Sequence, residues 1–220
     1  MNKNKVIKLT RDMVKEKLLT EVTGHDWYHI ERVTKTASIL AQEEDADLFI
    51  VNLASLLHDL ADDKVVNSEQ EGLNNIISWL KKHSVEDNHI NHVIEIIQSI
   101  SFKGGNNFLV KTLEAQIVQD ADRLDAIGAV GIARCFVYTG SKGRMIYNPS
   151  MKIRERMSVE EYRNEDTSAI QHFYEKLLKL KDLMNTQTGY KIAIQRHKFM
   201  EEFLEQFYNE VGTKNDEDYM

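Results

Sequence analysis

The chain of 220 residues predicts an all-α fold in a single domain. One proline (Pro149) and ten glycines leave few breaks in the chain. Apolar residues recur at helical spacing over most of the length, and β-branched alternation between tight turns is nearly absent. The length suits one domain with a proper core.

In order along the chain, Val6, Leu9, Met13, Val14, Lys17 and Leu18 mark a first helix near 5–20. Thr23 with Asp26 three residues later has the form of a capping box, opening a helix to about Ala41 with a core stripe of Ile30, Val33, Ala37 and Leu40. The run "DLFIVNLASLL" is apolar on nearly every side of a helical wheel, so a buried helix is expected at about 46–60. Further helices follow near 68–82 and 86–99, then 107–138 with a break allowed near "VQDAD". A last pair is expected near 165–184 and 188–211, and the amphipathic final one caps the core or pairs with a second subunit in a homodimer. Residues 139–157 carry no helical stripe and read as a long loop, functional or mobile. No internal repeat or low-complexity segment is evident.

With 28 basic and 35 acidic residues the formal charge is −7, which argues against general attraction to nucleic acid or anionic membrane. The single cysteine, Cys135, forms no internal disulfide. Together with an N-terminus lacking an apolar signal segment, this points to the reducing cytoplasm. No apolar run approaches the roughly 20 residues of a membrane span.

Against this background, certain polar residues stand in apolar places. "GHDWYHIERV" carries His25 and His29 four apart on one helix face, with His29 beside Val33 on the inward stripe. "ASLLHDLADD" ends the buried helix with His58, Asp59, Asp62 and Asp63. "AQIVQDADRLDAIGAVGIA" sets Asp120, Asp122 and Asp125 among Ile117, Val118, Ala121, Leu124 and Ile127. Burying such groups is costly unless each is paired, hydrogen-bonded or bound to a metal. Three segments therefore each bring His or Asp inward, and imidazole with carboxylate suits a divalent transition metal. The pattern alone does not choose between Asp120 and Asp122.

Four segments in order, "HDWYHIERV", "LLHDLADDK", "ISFKGG" and "QDADRLDAIGAVGIAR", resemble the HD superfamily of metal-dependent phosphohydrolases, and "HFYEKLLKLKDLMNT" extends the resemblance over nearly the whole chain. The resemblance implies an HD-type helical bundle over 1–212 with an acidic tail at 213–220. It assigns the metal ligands to His29, His58, Asp59 and Asp122, preferring Asp122 because it occupies the aspartate of "ADRL". The ion implied is divalent, Mn(II) first, with Co, Fe, Ni, Zn or Mg also admissible. Members similar to this chain hydrolyse deoxynucleoside triphosphates to monophosphate and pyrophosphate through a metal-activated water. In related enzymes an acidic residue at the position of Asp62 serves in catalysis.

For the phosphate chain the expected contact is Lys103, before two glycines; Asp125, one turn beyond Asp122 on the same face, is expected to support the ligands or to touch the substrate. The basic loop adds Lys142, Arg144, Arg154 and Arg156, alongside Lys152, as a clamp for a triphosphate. Arg123 points about 100° away from Asp122 and is expected to pair structurally. Tyr138 or Tyr147 is a candidate for stacking on a base, and His25, His172 and His197 for lining the cavity. Two alternatives stand beside this reading: a guanosine tetra- or pentaphosphate hydrolase, suggested by Asp62-Asp63, and a non-catalytic nucleotide-binding HD domain.

Overall fold

The computed structural model describes residues 2–20, 26–61, 68–100, 110–154 and 167–212. Its helices are α1 (Lys3–Leu18), α2 (Trp27–Glu43), α3 (Leu48–Leu57), α4 (Glu69–Lys82), α5 (Asp87–Ile100), α6 (Leu113–Asp125), α7 (Gly128–Ser141), α8 (Ala169–Glu175) and α9 (Gln187–Val211). Two 3₁₀ segments cover His58–Ala61 and Leu177–Leu183. No strand occurs among the described residues, so the all-α expectation holds. The chain falls into two compact units, residues 1–122 and 123–220.

In the first unit α3 is the central element, packed by α1, α2 and α5. Only Leu48 and Asn52 of its ten residues escape full burial, as a helix apolar all round requires. Each fully enclosed Leu, Ile or Val contributes about 1.5–3 kcal/mol by leaving water. The expected α2 stripe is realised, with Ile30, Val33, Ala37 and Leu40 all wholly buried. Helix α4 packs on the 3₁₀ turn that continues α3. Here Gly72 is required by space: a Cβ would lie 2.7 Å from both the Ala61 Cα and the Leu60 carbonyl oxygen.

Helix starts follow local chemistry. Asn2, Asp26, Asp47, Ser68, Ser168 and Thr186 each accept a hydrogen bond from a first-turn amide, at the starts of α1, α2, α3, α4, α8 and α9. At α2 the cap is Asp26 itself, bonded to the His29 amide at 2.8 Å, rather than the third residue of a box opened by Thr23. Thr23 lies outside the described residues.

In the second unit α7 packs on α9 and α8. Phe136, Phe173 and Phe203 form an aromatic cluster about the wholly buried Phe173, with Phe173 and Phe203 stacked 5.7 Å apart. Two helices occupy the stretch anticipated as one interrupted helix. The break falls at Ala126–Ile127, where Gly128 takes a left-handed φ of +75° against the Arg196 side chain. Helix α7 persists to Ser141, three residues into the anticipated loop, and the Lys142 amide closes it on the Tyr138 and Thr139 carbonyls.

Candidate metal centre

Two histidines and an aspartate meet inside the first unit. His29 comes from the first turns of α2 and is 1% exposed; His58 and Asp59 open the 3₁₀ turn at the end of α3 and are 9% and 4% exposed. His29 Nε2 lies 3.4 Å from Asp59 Oδ2, and His58 Nε2 lies 3.2 Å from Asp59 Oδ1. One donor atom from each of the three falls within 4.8 Å of the others. From α6, Asp122 Oδ1 stands 3.5 Å from His29 Nε2 and 4.0 Å from His58 Nε2, its side chain 38% exposed. The backbone places Asp120 instead among the fully buried residues.

The His58 ring is oriented by its own helix, since Nδ1 lies 2.8 Å from the Ser55 carbonyl oxygen. A carbonyl only accepts, so Nδ1 carries the proton and the lone pair stands on Nε2, toward Asp59 and Asp122. A backbone carbonyl on the far nitrogen is the usual support of a ligating histidine. Sequence reading missed Ser55, although its position three residues before a helix-terminal histidine is the signal for such a bond.

The donor set fits a divalent ion. Ligands held at about 2.0–2.2 Å from one ion stand roughly 3–4 Å from each other, and the four separations here run from 3.2 to 4.0 Å. Two imidazole nitrogens with carboxylate oxygen suit Mn, Fe, Co, Ni or Zn. His29, His58, Asp59 and Asp122 are the residues that would hold the ion.

Asp62, Lys103, Arg156 and His25, which sequence reading placed at the site, lie outside the described residues. The second unit gives several other candidates structural partners. Asp125 Oδ2 accepts a 2.7 Å bond from Arg134 Nη1, and Arg196 is a further charge close to it. Arg123 donates to the Leu183 carbonyl, a structural contact. Arg154 grips Glu175 with two bonds, Nε to Oε1 at 2.7 Å and Nη2 to Oε2 at 2.9 Å, while Thr167 Oγ1 adds a third at 3.0 Å. Burial alone would raise the Glu175 carboxyl; these bonds and the guanidinium charge outweigh it and hold it below the usual carboxylate value.

Lys142 Nζ stands 5.7 Å over the exposed Tyr138 ring, and the Arg144 amide bonds the Thr139 carbonyl at 3.0 Å. Tyr147 is half-buried and packs edge-on against Phe207 and Tyr208. Burial, reinforced by Lys176, Arg144 and Arg154, pushes the His172 imidazole down to about 3, so it is neutral at ordinary pH. His197 pairs with Glu201 one turn on, at 3.2 Å.

Comparison with known proteins finds relatives along nearly the whole chain. The HD domain family matches residues 26–127. YpgQ of Bacillus subtilis is 39% identical over 203 residues, covering 91% of each chain. Its crystal structure in complex with ADP superposes with a TM-score of 0.76 at 37% identity, over 93% of this chain and 97% of that one. A crystal structure from Lactobacillus plantarum gives a TM-score of 0.85 at 38% identity over 94% and 97% of the two chains. An HD-superfamily hydrolase of Bacillus thuringiensis gives 0.77 at 42% identity over 97% and 100%. With a histidine from α2, a His-Asp pair closing α3 and an aspartate from α6 meeting at one point, the chain belongs to the HD superfamily of metal-dependent phosphohydrolases.

Proposed function

We propose that the protein hydrolyses deoxynucleoside triphosphates to monophosphate and pyrophosphate in the cytoplasm, using Mn(II) held by His29, His58, Asp59 and Asp122. The observation that carries this reading is the convergence of those four side chains, three of them buried, at 3.2–4.0 Å. The relative crystallised with ADP supports a nucleotide as the ligand class. When bound, the ion supplies Lewis acidity: it polarises a phosphoryl oxygen and acidifies water.

The chain's own groups do the remainder. The Ser55 carbonyl keeps the His58 proton on Nδ1, which leaves Nε2 for ligation throughout the reaction. Asp59 offers one carboxylate oxygen toward each histidine and so fixes the spacing of the two rings. Asp62 accepts the proton from the attacking water. Lys103 stabilises charge developing on the phosphate chain, and Lys142, Arg144 and Arg156 engage the triphosphate. Arg154, already committed to Glu175, contributes by shaping the segment that carries the other cations.

Product analysis tests the reading. Manganese-loaded protein is incubated with each deoxynucleoside triphosphate and with guanosine tetraphosphate, beside an Asp122→Ala control, and products are identified by phosphorus NMR. Monophosphate plus pyrophosphate, absent in the control, is the expected result. Orthophosphate as the product, or turnover of guanosine tetraphosphate alone, would overturn it.

A further inference from the structure

Two of the three helices that deliver ligands to the centre, α3 and α6, are joined a second time, at their opposite ends. Helix α3 begins at Asp47, whose carboxylate accepts from the Phe49 and Ile50 amides at 2.8 and 3.2 Å. The backbone amide of Asp47 itself donates to Glu114 Oε1 at 3.2 Å, and Glu114 sits in the first turn of α6. The other oxygen of the same carboxylate, Oε2, faces His92 Nε2 of α5 at 3.7 Å. His92 Nε2 also meets the Thr112 hydroxyl at 3.1 Å, and that hydroxyl accepts from the Ala115 amide to cap α6. Lys3 of α1 completes the cluster, 4.0 Å from Asp47 Oδ2. One carboxylate thus spans the starts of α3 and α6 and touches α5.

From this junction both helices run toward the metal centre. Asp122 lies eight residues beyond Glu114, about 12 Å along a helix; His58 lies eleven residues beyond Asp47, about 17 Å. A helix transmits an axial shift from one end to the other almost undiminished, because its backbone hydrogen bonds resist stretching. The separation of Asp122 from His58 and Asp59 therefore depends on where the far ends of α3 and α6 are pinned. We infer that Glu114 is a positioning residue for the metal centre: by holding the Asp47 amide it fixes the axial register of α6 against α3, and with it the approach of Asp122 to the two histidines. This rests on the reading of His29, His58, Asp59 and Asp122 as ligands of one ion.

The test is Mn(II) affinity of the full chain, read by electron paramagnetic resonance of free ion during titration, with the metal-free melting temperature recorded for each protein. The set is wild type, Glu114→Ala, Glu114→Gln, Glu114→Asp and, as site control, Asp59→Ala. Glutamine keeps an acceptor of the same length for the Asp47 amide and should stay near wild type. Alanine removes the acceptor and should weaken binding by about tenfold or more, the scale seen when a group supporting a metal ligand is lost. Aspartate is one methylene short and should fall between, which decides the matter should the alanine variant fail to fold.

Wild-type affinity in Glu114→Ala or Glu114→Asp, with Asp59→Ala unable to bind, overturns the inference and leaves the metal centre standing. Equal losses in the alanine and glutamine variants also overturn it, since the effect would then follow charge and not the hydrogen bond. Equal binding by wild type and Asp59→Ala overturns the metal reading itself, and this inference with it.

Discussion

Gly72→Ala is a one-carbon perturbation aimed at the turn that carries two proposed ligands. An added Cβ would stand 2.7 Å from the Ala61 Cα, 2.7 Å from the Leu60 carbonyl oxygen and 3.1 Å from the Ala61 Cβ. Carbon atoms in contact prefer about 3.5–4.0 Å, so relief takes a movement of roughly 0.8–1.3 Å. The opposing atoms are mainly backbone of the His58–Ala61 turn, and no rotamer change can clear them. Overpacking of this kind costs about 1–3 kcal/mol, while replacing an interior helix glycine by alanine returns up to about 1 kcal/mol. The net loss is about 0–3 kcal/mol, or roughly 0–12 °C in melting temperature at about 2–4 °C per kcal/mol for a chain of this size.

The larger effect falls on the centre. His58 and Asp59 belong to the displaced turn, and a site tolerates only about 0.5 Å of error in its ligands. Mn(II) affinity should drop about 10–100-fold, measured by titration of the metal-free protein. Gly140→Ala is the matched control. Gly140 is also helical, yet nothing lies within 4 Å of its Cβ position, so this variant should gain up to about 1 kcal/mol and bind metal normally. A Gly72→Ala protein that is stabilised like the control and keeps wild-type affinity would refute the reasoning.

Two further outcomes follow from the second unit. Glu175→Gln removes the charge partner of Arg154 while keeping the shape of the side chain. With Glu175 2% and Arg154 20% exposed, the loss should be about 2–3 kcal/mol in urea unfolding, below the about 3–5 of a fully enclosed pair; an unchanged midpoint would show the pair to be idle. His172 titrates near 3 when folded and near 6.5 when unfolded, so below pH 6.5 the unfolded chain takes up a proton that the native one refuses. Stability is therefore complete above that pH and falls as acid is added, by about 2 kcal/mol at pH 5 from this group. His172→Gln should remove that part of the acid sensitivity when unfolding is compared at pH 7 and pH 5, and an identical pH dependence in both proteins would contradict the assignment.

Much of this was legible in the sequence where one residue's neighbours along the chain decide its fate. Ile30, Val33, Ala37 and Leu40 share one helical face and are buried together. His29, His58 and Asp59 drew notice because they interrupt apolar stripes, and they do converge. What stayed hidden depends on partners remote in sequence. Arg154 read as a free cation because Glu175, 21 residues on, meets it only in the fold. Asp125 read as a neighbour of Asp122 one turn away, while Arg134 from the next helix holds it. Gly72 resembles any helix glycine until the Ala61 backbone is seen against it. The α2 cap was misjudged for a local reason: Asp serves both as a cap and as the acidic third residue of a capping box, and the motif does not say which.

The hydrogen bond between the His58 ring and the Ser55 carbonyl restricts what position 58 can become. The side chain there must donate backward to its own helix and, from the opposite edge, offer a lone pair to the centre. Imidazole meets both demands because its two nitrogens differ in protonation and point apart. A carboxylate supplies lone pairs but no donor, and a thiolate likewise. Position 58 is therefore closed to the usual interchange among metal-binding residue types, and a search for altered metal preference has more freedom at Asp59 and Asp122.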